Sequence, residues 1–224
     1  MIEIGLEMGA GVRAGAVAGG MPEGRIVMPM QTHTANVGVL TEEMLPAADD
    51  GDCGRSLFPD TDALITQLRN VAIGVRTADC VPIILYAPDI EAVAAVHAGW
   101  KGTYAGICIN TVAKLKEMGA DPRKMRAAMG PCICGKCYEV DTALAGKFRE
   151  RFGDFPLTPG IAPGKYLLDL PAVNRRQLLD CGLSEANIHL PTVCTLESAA
   201  WPSWRRTPGT PERLFTLIQL GMRN

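Results

Sequence analysis

Arg76-Thr77-Ala78-Asp79-Cys80-Val81-Pro82-Ile83-Ile84-Leu85-Tyr86 and, after a short loop, Val93-Ala94-Ala95-Val96-His97-Ala98-Gly99-Trp100-Lys101-Gly102-Thr103 are the stretches whose reading decides the fold. Each joins an apolar, β-like run to a cysteine or histidine at a turn, and strand ends present side chains to a cleft rather than to the core. Cys80 and His97 are therefore candidates for chemistry. A further histidine lies upstream in Met30-Gln31-Thr32-His33-Thr34-Ala35-Asn36-Val37, among polar neighbours that do not require its imidazole to be buried. The chain has only 3 histidines, His33, His97 and His189, and two of them fall in these segments.

Upstream of this core, Val12 to Val17, Arg25 to Met30 and Val37 to Leu40 read as strands, with a turn at Gly19-Gly20-Met21-Pro22. Ala63 to Thr66 and Val71 to Val75 are two more strands feeding the central segment. Downstream, Ile107, Ile109, Val112, Leu115 and Met118 fit one helical face ending near Gly119. His97 then precedes a helix N-terminus, whose free N–H groups suit an anion. Arg126 to Met129 reads as a strand, Thr142 to Phe152 as a helix, and Leu170 to Gly182 as a helix that follows Asp169 with Pro171 in its first turn. Ile188 to Cys194 reads as a strand and Leu214 to Leu220 as a closing strand. The acidic, turn-rich run Pro46 to Gly54 reads as an exposed loop, and its aspartates lack the ligand spacing of a calcium loop. Strands outnumber helices, which favours layered mixed α/β over a regular doubly wound sheet.

At 224 residues and 47% hydrophobic, the chain suits one α/β domain, residues 1–224, with a sizeable core. A net charge of -2 with 21% charged residues argues against a nucleic-acid track and leaves a small anion as the better partner. No apolar run approaches membrane-spanning length, and Met1-Ile2-Glu3-Ile4 lacks the start of a signal peptide, so no membrane association is expected. The expected location is cytoplasmic, where the 8 cysteines serve as thiols, ligands or core residues rather than disulfides. For assembly, monomer and homodimer are both open.

His33, Cys80 and His97 make a borderline-soft ligand set that suits zinc, and three protein ligands leave a fourth position for water or substrate. Their spacing is not a compact metal motif, and a buried Cys80 beside hydrogen-bonded histidines is the structural alternative. The same residues also read, without metal, as a thiol hydrolase: Cys80 as nucleophile, His97 as base, and Asp79 or Gln31 as orienting or oxyanion group. Metal content separates the two, because a ligated thiolate is a poor nucleophile. Cys132, Cys134 and Cys137 form one knot with no matching second pair, which favours a structural or cleft-wall role over a separate metal site. Arg76, Lys101, Arg205 and Arg206 are candidates for binding phosphate, and Arg76 and Lys101 gain weight by flanking the ligands. Trp201 and Trp204 read as base-stacking or core residues, and Tyr138-Glu139 as a pocket edge.

Further motifs occur in order: Thr61-Asp62-Ala63, Thr77-Ala78-Asp79-Cys80, Gly130-Pro131-Cys132-Ile133, Cys137-Tyr138-Glu139-Val140, Asp169-Leu170, Asn174, Cys194-Thr195 and Ser203-Trp204-Arg205-Arg206. With Gln31-Thr32-His33 and His97 to Thr103, they resemble the laccase-domain proteins, once called multicopper polyphenol oxidases and similar to zinc purine nucleoside phosphorylases. The resemblance runs from about Arg25 onward; the chain has the shorter Val12 to Gly24 where that family usually carries a longer segment with an aromatic strand.

The resemblance implies a zinc held by His33, Cys80 and His97; beside it, the reading of the residues assigns catalytic roles to Cys80, His97 and Asp79, and substrate contacts to Gln31, Arg76, Lys101 and Arg205. It implies phosphorolysis of adenosine, inosine, guanosine and S-methyl-5'-thioadenosine, with purine nucleoside and phosphate as partners, and adenosine deamination beside it. Copper fits less well, since 3 histidines cannot furnish the ligands of a multicopper cluster. In this scheme the metal polarises water or phosphate, Arg76 or Lys101 balances the anion, and Asp79 or Asp62 carries a proton or caps a loop. The family also resembles the catalytic domain of bacterial deamidating toxins, so a layered α/β sandwich of that kind is expected. Cys-His hydrolase or amidase chemistry, polyphenol oxidation and non-enzymatic metal binding are the alternatives.

Overall fold

The computed structural model describes residues 1–21, 23–48, 51–69 and 71–221. The strands are β1 Ile2–Gly5, β2 Val12–Ala18, β3 Ile26–Val27, β4 Val37–Leu40, β5 Ala63–Thr66, β6 Ala72–Thr77, β7 Val81–Ala87, β8 Ala92–Ala98, β9 Arg126–Met129, β10 Glu139–Asp141, β11 Leu157–Pro159, β12 Lys165–Leu168, β13 Ile188–His189 and β14 Leu214–Leu220. The helices are α1 Leu45–Ala48, α2 Trp100–Ala105, α3 Ile107–Glu117, α4 Thr142–Phe152 and α5 Leu170–Asp180. A six-stranded sheet runs β13-β9-β7-β8-β5-β4, a five-stranded sheet β1-β2-β14-β6-β3, and a small sheet β10-β12-β11. The fold is mixed α/β and sheet-dominated, as the count of apolar runs implied.

β8 is buried from end to end because both of its faces are covered, which is why its sequence is continuously apolar rather than alternating. Ala92, Ala94, Val96 and Ala98 share a cluster with Ile107, Val112 and Leu115 of α3, Phe148 of α4 and Leu178 of α5. Val93 and Ala95, on the opposite face, pack with Ile73, Val75 and Ile218 of the five-stranded sheet. The result is three layers, helices over one sheet over the other, with each fully buried Leu, Ile or Val contributing about 1.5–3 kcal/mol.

β6 belongs to the five-stranded sheet and β7 to the six-stranded one, so Thr77-Ala78-Asp79-Cys80 carries the chain between layers. Asp79 makes that passage in the left-handed region, at φ 88. β7 and β8 are antiparallel with Val81 opposite Ala98 and Pro82 opposite His97, which places Cys80 and Gly99 together just beyond the paired ends. His97 lies on the face of β8 that carries Val93 and Ala95, toward the seam between the sheets.

Several boundaries differ from those expected, each for a local reason. Arg25 to Met30 pairs as a strand only at Ile26–Val27, because the N–H groups of Met28 and Met30 donate instead to Cys53 O and Phe58 O. The helical face expected from Ile107 to Met118 is α3, except that Ile109 is exposed, and a short helix that was not expected, α2, precedes it across Gly106 with φ 89. α4 has the expected span and is capped by Asp141, which accepts from Leu144 N, whereas α5 stops at Asp180. Ile188 to Cys194 keeps only two strand residues, after which Cys194 forms a lone bridge to Cys132. Leu214–Leu220 is the strand expected; it alternates buried and partly buried residues and lies in the interior of its sheet, between β2 and β6. The acidic run is not wholly an exposed loop, since Leu45–Ala48 is helical with Ala48 buried. Asp49 and Asp50 of that run, and Pro22 of the first turn, lie outside the described residues.

Candidate metal centre and its cleft

Asp62 organises the site from behind. Its carboxylate is fully buried and accepts from Thr32 N at 3.2 Å, His33 N at 3.1 Å, Thr34 N at 2.6 Å, Thr34 Oγ1 at 2.8 Å and His97 Nδ1 at 2.7 Å. These bonds hold His33 in a left-handed conformation, φ 67, that a histidine adopts only when its surroundings impose it. Burial opposes ionisation of Asp62, but the bonds to His97 and Thr34 prevail and bring its pKa down to about 2. Of the two roles weighed for Asp62, the structure shows the loop cap.

The donor atoms of His33, Cys80 and His97 lie within 4.8 Å of one another. The imidazole rings meet edge to face, with centroids 4.8 Å apart. Burial would raise the Cys80 thiol, yet His97 and His33 lower it below the ordinary thiol range. Burial likewise disfavours the imidazolium of His97, and Cys80 and Asp62 together outweigh it and raise the pKa. With Nδ1 directed at the Asp62 carboxylate, Nε2 is the nitrogen of His97 left for a metal, the carboxylate–histidine pairing that fixes metal-binding imidazoles. Gly99 keeps the space open: a Cβ there would sit 3.0 Å from both Cys80 Sγ and His33 Cδ2. Two imidazoles, one thiolate and a buried carboxylate behind one of them fit a borderline-soft divalent ion.

These residues form one wall of a cleft of about 530 Å³ that is also lined by Gln31, Arg76, Asp79, Trp100, Tyr138, Trp204, Arg205 and Arg213. Arg76 is half-buried, and its guanidinium forms no hydrogen bond or ion pair with the described residues. Its pKa is lowered by burial and then by the positive charges of Arg55 and Arg213, with Asp52 opposing, and Arg76 and Arg213 together bring two guanidinium groups to the cleft. Gln31 serves this residue: its amide bonds the backbone N–H and C=O of Arg76, both at 2.9 Å.

Asp79 accepts from Thr195 Oγ1 at 2.6 Å and from Arg205 N at 2.7 Å, and its own carbonyl accepts from Ile133 N at 3.0 Å. The Arg205 side chain donates to Glu139 O at 2.7 Å and lies 5.1 Å from the Tyr138 ring centroid. Lys101 is exposed, with Nζ 5.7 Å from the Trp100 ring, and stands outside the cleft lining. Arg206 also turns away from a phosphate role, because its guanidinium bonds the carbonyls of Thr195, Leu196, Ser198 and Trp201. Trp201 is core, packed with Ala16, Ala18 and Leu214, whereas Trp204 faces the cleft and is 49% exposed.

Sequence reasoning missed Trp100 and Arg213 as lining residues. Arg213 sits one residue before β14, whose pairing sets Leu214 opposite Thr77 and Phe215 opposite Arg76. Only the strand pairing brings the two arginines to one cleft.

The fold and site thus define a sheet-dominated α/β protein with a Cys-His metal-binding group at the seam of two sheets. The family described as multi-copper polyphenol oxidoreductase laccase matches residues 12–221, and the chain belongs to it. Among its curated relatives, "Adenosine deaminase RL5" from an unknown prokaryotic organism is 38% identical over 86% of this chain and 74% of that protein. A "Purine nucleoside phosphorylase" of Aquifex aeolicus is 37% identical over 87% of this chain and 82% of that protein. The crystal structure of YlmD from Geobacillus stearothermophilus matches with a TM-score of 0.82 at 28% identity, covering 95% of this chain and 93% of that one.

Proposed function

We propose that this chain is a zinc-dependent purine nucleoside phosphorylase acting on adenosine, inosine, guanosine and S-methyl-5'-thioadenosine, with adenosine deamination as a second activity. The observation that carries the reading is the convergence of His33, Cys80 and His97 on a cleft that also presents the free guanidinium of Arg76. Relatives named purine nucleoside phosphorylase and adenosine deaminase support both activities. The cleft volume suits a nucleoside with phosphate, and the rings of Trp100, Tyr138 and Trp204 offer faces for the purine.

In phosphorolysis a phosphate oxygen bonds to C1′ of the ribose while the bond from C1′ to the purine nitrogen breaks, and the purine leaves with a proton. His33, Cys80 and His97 would hold the zinc, which would supply Lewis-acid polarisation when bound. Arg76 seats the phosphate, with Arg213 bringing a second guanidinium to the cleft. Asp62 keeps the Nε2 lone pair of His97 directed at the metal position by accepting the Nδ1 proton. Asp79 is proposed as a positioning residue rather than a proton carrier, since both its carboxylate oxygens already accept hydrogen bonds. All eight cysteines carry free thiols, which suits a reducing compartment such as the cytoplasm. No helix among the described residues is long and apolar enough to cross a membrane.

A second reading rests on the chain Asp62, His97, Cys80, which is also the order of a thiol hydrolase relay. Turnover separates the two. Purified protein incubated with inosine or adenosine should release free base only when phosphate is present, and His97→Ala should abolish the release. Base release independent of phosphate, or no nucleoside turnover by zinc-replete protein, would refute the phosphorylase reading.

A further inference from the structure

The knot Cys132-Ile133-Cys134-Gly135-Lys136-Cys137, which by itself has no second pair of ligands, acquires one in three dimensions. Sγ of Cys134, Cys137 and Cys194 and a carboxylate oxygen of Glu197 all lie within 4.8 Å of one another. Cys132 is fully buried and is not part of this group. We propose that Cys134, Cys137, Cys194 and Glu197 form a second, structural zinc site, separate from the His33, Cys80 and His97 group.

Two features beyond proximity point to a metal. The first is the backbone around the sulfurs. Cys134 N donates to Cys194 Sγ at 3.4 Å, a bond that draws the two segments together at the sulfur. A backbone N–H directed at a sulfur stabilises the thiolate that a metal would bind.

The second is the tightness of the first turn. Cys137 N and Tyr138 N both donate to Cys134 O at 3.0 Å, and Gly135 occupies a place where a Cβ would come within 2.5 Å of the Asp169 side chain. The turn is fixed with both sulfurs toward Cys194. A divalent ion would bind the three sulfurs as thiolates, releasing their protons. Three thiolates and one carboxylate make a closed tetrahedral set for zinc, with no position open to substrate.

The placement explains what such a site would do. Ile133 lies within the knot and Thr195 follows Cys194, and these two residues hold Asp79 beside Cys80. Tyr138 follows Cys137 and lines the cleft. A metal here ties the segment after β9 to the segment after β13 and so fixes one wall of the catalytic cleft.

Metal analysis of protein purified in reducing buffer without added metal tests this. The wild type should carry about two zinc ions per chain, Cys80→Ala about one, and the double variant Cys134→Ser/Cys137→Ser about one. Cobalt(II) loaded into Cys80→Ala should show the intense sulfur-to-metal absorption of a site with several thiolates, a readout that leaves the second site unmutated. One zinc in the wild type that survives Cys80→Ala would still support this site while counting against metal at the first. A single zinc that Cys80→Ala removes would overturn it. So would a disulfide among Cys134, Cys137 and Cys194 in reducing buffer, or copper as the retained metal.

Discussion

Replacing Asp62 with asparagine tests the site most directly. The carboxylate receives two donors on Oδ1, His33 N and His97 Nδ1, and three on Oδ2, Thr32 N, Thr34 N and Thr34 Oγ1. An amide can present oxygen to only one of these groups, and its NH2 must face the other. Keeping the three contacts on the Oδ2 side leaves the His33 N–H without an acceptor. It also forces the other tautomer on His97, with the proton on Nε2 and no lone pair for a metal. Hydrogen bonds to a charged group contribute about 1.5–3 kcal/mol each, and a stranded buried donor costs about 1–3 kcal/mol, so Asp62→Asn should lose about 3–5 kcal/mol at neutral pH.

The pH dependence follows from the same group. A carboxyl held at about 2 in the fold and near its model value of 3.8 when unfolded stabilises the protein above pH 4 and loses that contribution as pH falls through 2. By pH 3 the wild type should have lost about 1 kcal/mol of it, narrowing the gap to Asp62→Asn by that amount. Urea unfolding of chelator-treated protein from pH 7 to pH 3 measures both quantities, and zinc titration should show about 10–100-fold weaker binding. A variant within 1 kcal/mol of wild type that binds zinc about as tightly would refute the view that Asp62 organises the centre.

Four further expectations separate the parts of the site. Gly99→Ala, whose Cβ would press on Cys80 Sγ and His33, should weaken zinc binding about tenfold while shifting stability by less than about 1 kcal/mol, because the φ of -69 at Gly99 suits any residue. Equilibrium metal titration and urea unfolding check the two halves. Arg76→Ala should raise the KM for phosphate about tenfold, about 1.4 kcal/mol, and leave the nucleoside KM nearly unchanged in steady-state assays. Trp204→Ala should do the opposite, weakening the nucleoside by about 1 kcal/mol if its ring stacks on the purine. Asn174→Ala should lose about 2–3 kcal/mol with metal content intact, since its amide joins Thr103 Oγ1 at 3.0 Å to Leu170 O at 2.9 Å in the helical layer, away from the cleft.

The local chemistry of this chain was legible residue by residue. The apolar runs gave β7 and β8 within a residue, α4 has the span read for it, Asp169 caps α5, and Gly119 follows the end of α3 as its position implied. The small sheet of β10, β11 and β12 was not legible, because its short strands lie in polar and loop-like sequence. Nor was the bond between Asp62 and His97, although Thr61-Asp62-Ala63 had stood out as a motif. Charge and exposure misled at Lys101 and Arg206, where the side chain is placed by what surrounds it and not by which residue it follows.

By itself the sequence determined the ligand types, the strand ends that carry them and the family the chain resembles, because side-chain chemistry and backbone preference are properties of the residue and its neighbours. The tertiary structure alone decided which donors meet. The antiparallel register of β7 and β8 sets Cys80 against Gly99, the Asp62 carboxylate swings His33 and His97 to the same point, and the turn of Cys134 and Cys137 finds Cys194 across a lone bridge. Such meetings depend on hydrogen bonds between segments far apart in the chain, and no local pattern encodes them.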